Sequence, residues 1–201
     1  MVIDPKSHEV RLKIVLIGLP GAGKFQILES WSSLQGDGQL REFQMGDASI
    51  FRASFRWSNL PRKDWSMSLS AYTTEGEVAY SAVTEMLLKD ADGICFVAPV
   101  DGDRAQAIGE SMADLGEILR RNRRVLSEIP LVLHYHQAER IPGFDANLLN
   151  DFLGIPKDSV PHVMTRSDDA SPLTGSLALL LQKVMNVAEE ALPPEATPAA
   201  S

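Results

Sequence analysis

The stretch that decides the fold is "KIVLIGLPGAGKFQ", residues 13–26. Its first half is β-branched and almost continuously apolar, as a buried parallel strand requires. Its second half is a glycine-rich turn that ends in Gly23-Lys24. The spacing matches the phosphate-binding loop GxxxxGK(S/T) up to its last position, where Phe25 replaces the hydroxyl residue. The stretch therefore predicts a strand, a loop for phosphate groups and a helix, with one component of the loop missing.

A phosphate-binding loop works because its backbone N–H groups point inward and the following helix adds its dipole. Lys24 would place a positive charge on the outer phosphates, whereas Phe25 cannot ligate magnesium as a serine or threonine does. The simpler alternative is a glycine turn that holds no ligand. The residues that the motif predicts to contact a nucleotide are Gly18, Pro20, Gly21, Ala22, Gly23, Lys24, Phe25 and Gln26.

Composition and charge narrow the class of protein. A length of 201 residues suits one domain, and 44% hydrophobic residues are typical of a globular chain. Nineteen basic against 27 acidic residues give a net charge of −8, which provides no general attraction for nucleic acid or anionic lipid. We found no apolar run long enough for a membrane span and no apolar signal core, so we expect a cytoplasmic protein.

One basic run stands out from this acidic background, at residues 120–124. We interpret it as a solvated helix end, where cations complement the helix dipole, and keep a docking patch as the alternative.

Strand and helix patterns alternate along most of the chain. This order predicts an α/β domain with a doubly wound, mostly parallel six-stranded sheet, in which a ligand binds at the carboxyl ends of the strands. Residues 49–57 and 65–73 alternate in hydrophobicity and predict one antiparallel edge hairpin. Trp57 and Trp65 flank its turn, either as cross-strand packing or as an exposed surface for a partner.

Three segments carry a resemblance to a known family: "KIVLIGLPGAGK", "YTTEGEVAYSAVTEMLLKDADGICFVAP" and "PLVLHYHQAER". They resemble the MglA-type bacterial branch of the Ras-like small GTPases, and the spacing follows that family from about residue 11 to residue 188. The resemblance implies a Ras-like P-loop fold and the cofactors GTP or GDP with Mg²⁺. It also implies a role as a cytoplasmic polarity switch, with a roadblock-type protein as regulator.

The chain then divides into an N-terminal extension, a Ras-like GTPase-type domain and a tail expected to be disordered, at residues 1–10, 11–192 and 193–201.

The family's second switch maps onto residues 75–77. Gly76 keeps the glycine whose N–H meets the γ-phosphate, and Glu77 stands in place of the water-orienting glutamine, which makes it the candidate catalytic residue. Glu75 replaces a proline. Two carboxylates beside a triphosphate repel it, although both also fit an exposed first helical turn.

The first switch maps less completely. Ser49 aligns with the threonine that ligates magnesium, and Ala48 aligns with the family's intrinsic arginine finger. Arg41 and Arg52 are nearby in sequence and are the only substitutes we can name. The loss of an arginine finger would leave hydrolysis slow, since such a residue contributes about 10³–10⁵ in rate.

The guanine-recognition motif NKxD aligns with residues 136–139. The bracing asparagine becomes His136, the base-covering lysine becomes Gln137 and the guanine-binding aspartate becomes Glu139. Thr165 follows the last strand at the remaining contact position. His134 and His136 project to the same side of a strand end and could share a metal, but strand alternation alone explains them.

Two hypotheses follow from these departures. The first is an MglA-like pseudo-GTPase, a protein-interaction module in bacterial polarity or motility-type regulation, which binds nucleotide weakly or not at all. Its partner surface would lie around residues 41–80. The second is a divergent small GTPase that binds GTP and GDP and hydrolyses GTP slowly.

Overall fold

The computed structural model describes residues 1–34, 39–57, 64–75, 82–100, 104–156, 158–166 and 171–192. No helix within these ranges is long and apolar enough to cross a membrane. In chain order, the elements are β1 Val2–Asp4, β2 Glu9–Gly18, α1 Lys24–Ser32, β3 Gln39–Met45, β4 Ala48–Trp57, β5 Ser66–Glu75, α2 Ala82–Lys89, β6 Gly93–Pro99, α3 Ala105–Arg121, β7 Leu131–His136, α4 Ala146–Phe152, β8 His162–Met164 and α5 Gly175–Ala191.

The strands form one mixed sheet in the order β3-β4-β5-β2-β6-β7-β8, with β1 paired to β2. In this order, the strands β5, β2, β6, β7 and β8 run parallel to one another. Strand β4 is antiparallel to both of its neighbours, β3 and β5. The predicted parallel sheet with an antiparallel edge is therefore confirmed. The predicted count of six strands is wrong, because the described residues form eight.

The two strands missing from the prediction have weak sequence patterns. β1 is three residues long, and it pairs antiparallel with the start of β2. The first ten residues, predicted as an extension, thus contribute to the sheet. In β3 only Leu40 is half-buried and the other side chains are exposed, so the strand lacks the hydrophobic alternation that marks a half-buried strand. Residues 193–201, predicted to be a disordered tail, lie outside the described ranges.

A two-residue turn joins β3 to β4. Met45 pairs with Ala48 across Gly46 and Asp47, and Gly46 has a φ of 60°. Glycine with positive φ at the first central position is typical of a type II′ hairpin turn, whose twist suits antiparallel strands.

The predicted hairpin between residues 49–57 and 65–73 is present as the antiparallel pair β4–β5. The side chains of Met67, Leu69 and Ala71 are buried, as their alternation predicted. Trp65 is also buried, with 3% exposure, and its ring stacks on His8 with centroids 5.3 Å apart. An exposed partner surface is thus wrong for Trp65, and the side chain of Trp57 lies outside the described part of the structure.

The basic run at the end of α3 contacts the carboxyl-terminal part of α2. Arg124 donates hydrogen bonds to the carbonyl oxygens of Leu88 and Lys89 at 3.1 and 3.4 Å, and Arg121 lies 3.4 Å from Glu85. Arg120 and Arg121 lie in the last turn of α3, as the interpretation of a helix end predicted, whereas Arg124 caps the carboxyl end of α2, which was not predicted.

The packing of α5 on β6 gives a test of the core. A Cβ at Gly93 would lie 2.9 Å from Val184 Cγ2 and 3.2 Å from Leu180 Cδ1. We expect Gly93→Ala to lower the free energy of unfolding by about 1–3 kcal/mol, because the core must shift to accept the methyl group.

Gly116 in α3 is the matched control, since its Cβ would meet no atom within 4 Å. Gly116→Ala should raise the free energy of unfolding by up to about 1 kcal/mol through helix propensity. Urea denaturation measures both. Equal effects of the two substitutions would show that the α5–β6 contact is looser than the structure describes.

Candidate functional site

The glycine loop lies between the end of β2 and the start of α1, at the carboxyl edge of the parallel strands. Gly18, Gly21 and Gly23 all have positive φ, at 145°, 70° and 86°. A Cβ at Gly18 would lie 1.9 Å from the carbonyl oxygen of Val97 on β6, so only glycine fits there. The loop thus keeps the backbone conformation that the phosphate-binding motif requires.

Lys24 supplies the loop's central positive charge. Its side chain is buried, and its ammonium donates hydrogen bonds to the carbonyl oxygens of Gly18 at 3.2 Å and Leu19 at 2.8 Å. The lysine ammonium is therefore held at the loop, where a phosphate group bound by the loop would contact it.

A second cation at the loop, Arg104, was missed in the sequence. Its guanidinium donates a 3.0 Å hydrogen bond to the carbonyl oxygen of Pro20, from the residue that precedes α3. Arg104 is 84 residues from Pro20, so no local motif connects them. The signal that was available is topological: residues just after β6 must lie beside the loop after β2, because these two strands are neighbours in the sheet.

Phe25, which stands where the motif has its magnesium ligand, makes an aromatic contact. Phe25 is half-buried and meets Phe51 of β4 edge to face, with ring centroids 4.6 Å apart and an interplanar angle of 65°. Gln26, also predicted to contact a nucleotide, is exposed on α1. The residues present fit phosphate groups, whereas they do not fit the magnesium ion that the resemblance implies.

The first-switch residues lie within regular hairpin structure. Ser49 pairs with Gln44 of β3 and with Glu75 of β5, and its hydroxyl accepts a 2.8 Å hydrogen bond from Gln44. Ala48 is buried at the hairpin turn. Gly76 and Glu77, the second-switch glycine and the candidate catalytic residue, lie outside the described residues, as does the side chain of Glu75.

The two arginines named as substitutes for an arginine finger point away from the loop. Arg41 and Arg52 are direct cross-strand partners, and alternation places them on the sheet face opposite Phe51. Phe51 is the residue that contacts the loop helix, so Arg41 and Arg52 lie on the wrong face to reach a phosphate group. The suggestion that Arg41 or Arg52 replaces the arginine finger is therefore wrong.

A series of buried side chains, connected by hydrogen bonds, leads from α5 to the glycine loop. The two nitrogens of His134 lie 2.8 Å from the hydroxyl of Ser176 and 2.9 Å from that of Thr165, and His136 Nδ1 lies 3.0 Å from the same threonine oxygen. All four side chains are buried. The described residues hold no group of three metal-ligating side chains, so hydrogen bonding accounts for the two histidines.

His136 connects this buried chain to the glycine loop. Its Cδ2 and Nε2 atoms would lie 2.5 and 2.9 Å from a Cβ at Gly23, so the ring packs directly on the loop backbone. Burial lowers the pKa of His136, and the carboxylate of Glu139 partly opposes that shift. His136 thus contacts both the buried chain and the loop backbone.

The other residues aligned with the guanine-recognition motif lie in a short turn that is joined to Thr165 by a backbone hydrogen bond. Gln137 adopts a left-handed conformation with φ 61° and starts a short 3-10 turn, in which Glu139 is half-buried. Ala138 N–H donates to the carbonyl oxygen of Thr165 at 2.9 Å. Thr165 was expected to contact a nucleotide, but its hydroxyl lies between His134 and His136 and its side chain is fully buried.

Comparison with known proteins agrees with this fold. The chain is 28% identical to the mutual gliding-motility protein MglA of Myxococcus xanthus (strain DK1622) over 141 residues, which cover 68% of this chain and 72% of MglA. The G domain of the T. maritima FeoB iron transporter superposes with a TM-score of 0.54 at 17% identity, and the match covers 89% of this chain and 99% of that domain. No protein-family model matches the chain.

The fold is that of a GTPase G domain. The similarity to MglA, together with this fold, supports a relationship to the Ras-like small GTPase family.

The buried histidine gives a pH-dependent prediction. Burial, followed by the charge of His136, lowers the pKa of His134 from 6.5 to about 3. A depressed histidine pKa stabilises the fold above pH 6.5, and this contribution is lost as the pH falls towards 3, because the unfolded chain then binds a proton that the folded chain excludes. The free energy of unfolding of the wild type, relative to His134→Gln, should be about 2 kcal/mol lower at pH 5 than at pH 7.

Urea denaturation at the two pH values measures this difference. Parallel pH profiles for the wild type and His134→Gln would contradict the assignment.

The aromatic contact at the metal position gives a second prediction. Phe25→Ser should lower the free energy of unfolding by about 1–3 kcal/mol, since it removes one ring of an aromatic pair that is only partly buried. Phe25→Leu keeps apolar volume and should cost less than the serine variant. Only the serine variant should gain magnesium-dependent affinity for GDP in calorimetric titration. A fully stable Phe25→Ser with unchanged GDP binding would show that this contact does not block the metal.

Proposed function

We propose that this chain is an MglA-like pseudo-GTPase: a protein-interaction module in bacterial cell polarity or motility-type regulation, with weak or no nucleotide binding. The observation that carries the proposal is the contact between Phe25 and Phe51 at the position where a Ras-like protein ligates magnesium. Similarity to a protein named for gliding motility supports a role in motility-type regulation.

The metal matters because of how a Ras-like switch works. The γ-phosphate and its magnesium ion hold two mobile loops, and the loops are released after hydrolysis. Phe25 contributes no oxygen to a metal, and the hydroxyl of Ser49 is hydrogen-bonded within the hairpin. The first-switch segment is therefore held by β3–β4 pairing and by the aromatic contact, neither of which needs a nucleotide.

The base motif supports weak discrimination among nucleotides. Guanine recognition needs an aspartate that accepts two hydrogen bonds from the base edge, and Glu139 takes that position with a longer side chain. His136 packs on the loop itself, and Thr165 is committed to the buried hydrogen-bonded chain. We infer that any binding is dominated by the phosphates.

The alternative function is a slow GTPase that binds GTP and GDP. Intact loop glycines and the buried ammonium of Lys24 favour it, and the guanidinium of Arg104 adds positive charge at the same loop. The cofactors would then be GTP or GDP, with Glu77 as the water-orienting residue. The residues that we propose as nucleotide contacts on this alternative are Gly18, Pro20, Gly21, Ala22, Gly23, Lys24, Phe25, Gln26, Gly76, His136, Gln137, Glu139 and Thr165.

Calorimetric titration with GDP and ADP, with magnesium and with a chelator, tests the proposal. We expect either no binding or an affinity that differs by less than about 100-fold between the two bases, which is about 2.7 kcal/mol, and that depends little on magnesium. Strong, magnesium-dependent preference for GDP, together with measurable GTP hydrolysis, would establish the alternative.

A protein partner gives the functional test, and a roadblock-type regulator is the first candidate. Its affinity for this chain should be the same without nucleotide, with GDP and with a GTP analogue. A difference above about tenfold, roughly 1.4 kcal/mol of coupling, would mean that the switch still operates.

A further inference from the structure

The outer strands of the sheet leave one face open. Along β5, Met67, Leu69 and Ala71 are buried, whereas Ser68 and Ser70 between them are only half-buried. Alternation of this kind is typical of an antiparallel region with one face on the core and the other towards solvent.

Arginines from three strands share this open face. Cross-strand register places Arg11 of β2 and Arg56 of β4 on either side of Ser68, and it places Arg52 of β4 directly opposite Arg41 of β3. We call these four residues the basic face. Arg11, Arg41 and Arg56 are exposed, and Arg52 is half-buried.

The basic face is electrostatically costly. Like charges directly opposite on neighbouring strands destabilise a sheet, and Arg41 and Arg52 are such a pair. Arg41 donates to Gln39 Oε1 at 2.8 Å and Arg52 to Ser54 Oγ at 2.9 Å, and both acceptors are neutral. Arg11 has a carboxylate nearby, with 3.8 Å between its Nε and Glu9 Oε2. An anionic ligand would relieve this repulsion.

The same face contains a basin of about 450 Å³. Three arginines, Arg11, Arg52 and Arg56, line it with one carboxylate, Glu9, so cations outnumber anions in the lining. The small side chains of Ser54, Ser68 and Ser70 lie beside them. Serine hydroxyls add hydrogen-bond donors, and guanidinium groups bind carboxylates in bidentate geometry. The lining is thus suited to oxyanions.

We propose that the basic face binds a short acidic segment of a protein partner, whose carboxylates pair with the arginines. The chain as a whole has a net charge of −8, so its net field repels large polyanions. A short segment stays within about one Debye length, ~8 Å, of the arginines, whereas a membrane or a long nucleic acid extends beyond the basic face and meets that net negative charge. The inference rests on the proposed function only in that the chain acts through a protein partner.

The test uses the full chain and a defined probe. Alternate residues of an extended peptide point the same way at about 7 Å spacing, so an eight-residue peptide of alternating Asp and Ser presents four carboxylates to one face. In an NMR titration it should shift the backbone amide signals of Ser54, Ser68 and Ser70. The same peptide with Asn in place of Asp should not shift them.

Matched charge variants separate this face from general attraction. Arg41→Gln with Arg56→Gln should weaken peptide binding about tenfold or more, whereas Arg120→Gln with Arg121→Gln, which removes the same charge from the end of α3, should change it less than about twofold. The single variant Arg41→Gln should also leave the urea midpoint unchanged or raised, because it removes repulsion from Arg52. A purely structural arginine would lower that midpoint.

Equal losses in both double variants, or shifted signals elsewhere, would overturn the inference. Binding to phosphatidylserine vesicles that depends on the basic face, without peptide binding, would overturn it in favour of a lipid surface. Repeating the peptide titration in the presence of GDP distinguishes the two proposals. If GDP changes the affinity for the peptide by more than about tenfold, the proposed pseudo-GTPase is contradicted, whereas the assignment of the basic face as the peptide site is kept.

Discussion

The structure depends on the close approach of the glycine loop to the two strands beside it. Gly18 lies against the carbonyl group of Val97 on β6, and Gly23 lies against the ring of His136 on β7. Neither position has room for a side chain. The loop conformation is therefore required by packing within the protein, independently of any phosphate. A glycine-rich loop of this kind can persist after its ligand is lost, since replacing its glycines would disturb the sheet as well as the site.

The buried hydrogen-bonded chain from Ser176 to His136 extends the same constraint to the last helix. Four polar side chains in a buried location are stable only when their hydrogen bonds are made, and these are paired in sequence from α5 to the loop. His136, which the sequence aligned with the family's bracing asparagine, places its ring against the backbone of the loop at Gly23.

The sequence was informative where a residue's role is local or follows the alternation of a strand. The loop glycines, the parallel strands and the buried side of the β4–β5 hairpin were all predictable, because backbone conformation and hydrophobic periodicity determine them. Strand β3 was not, since an edge strand with both faces exposed carries no periodic signal. Arg104 and the hydroxyl of Thr165 acquire their contacts through tertiary structure, at 84 and about 30 residues from their partners. Motif alignment assigned Thr165 to a ligand because it considers position in the chain and not the side chain's neighbours.

On the proposed function, the two cations at the loop and the aromatic pair beside it would act in opposite directions on nucleotide binding. Lys24 and Arg104 place positive charge at the loop, while Phe25 takes the motif position of a magnesium ligand and offers no oxygen to a metal. Without magnesium, the attraction depends on the fixed charges alone, and a diphosphate and a triphosphate then differ only in how much charge they bring to the same loop. On this proposal the γ-phosphate has no metal through which to act on β4, whereas the contact between Phe25 and Phe51 joins that strand to α1 without a nucleotide. Loss of the magnesium ligand is then expected to affect switching more than it affects binding.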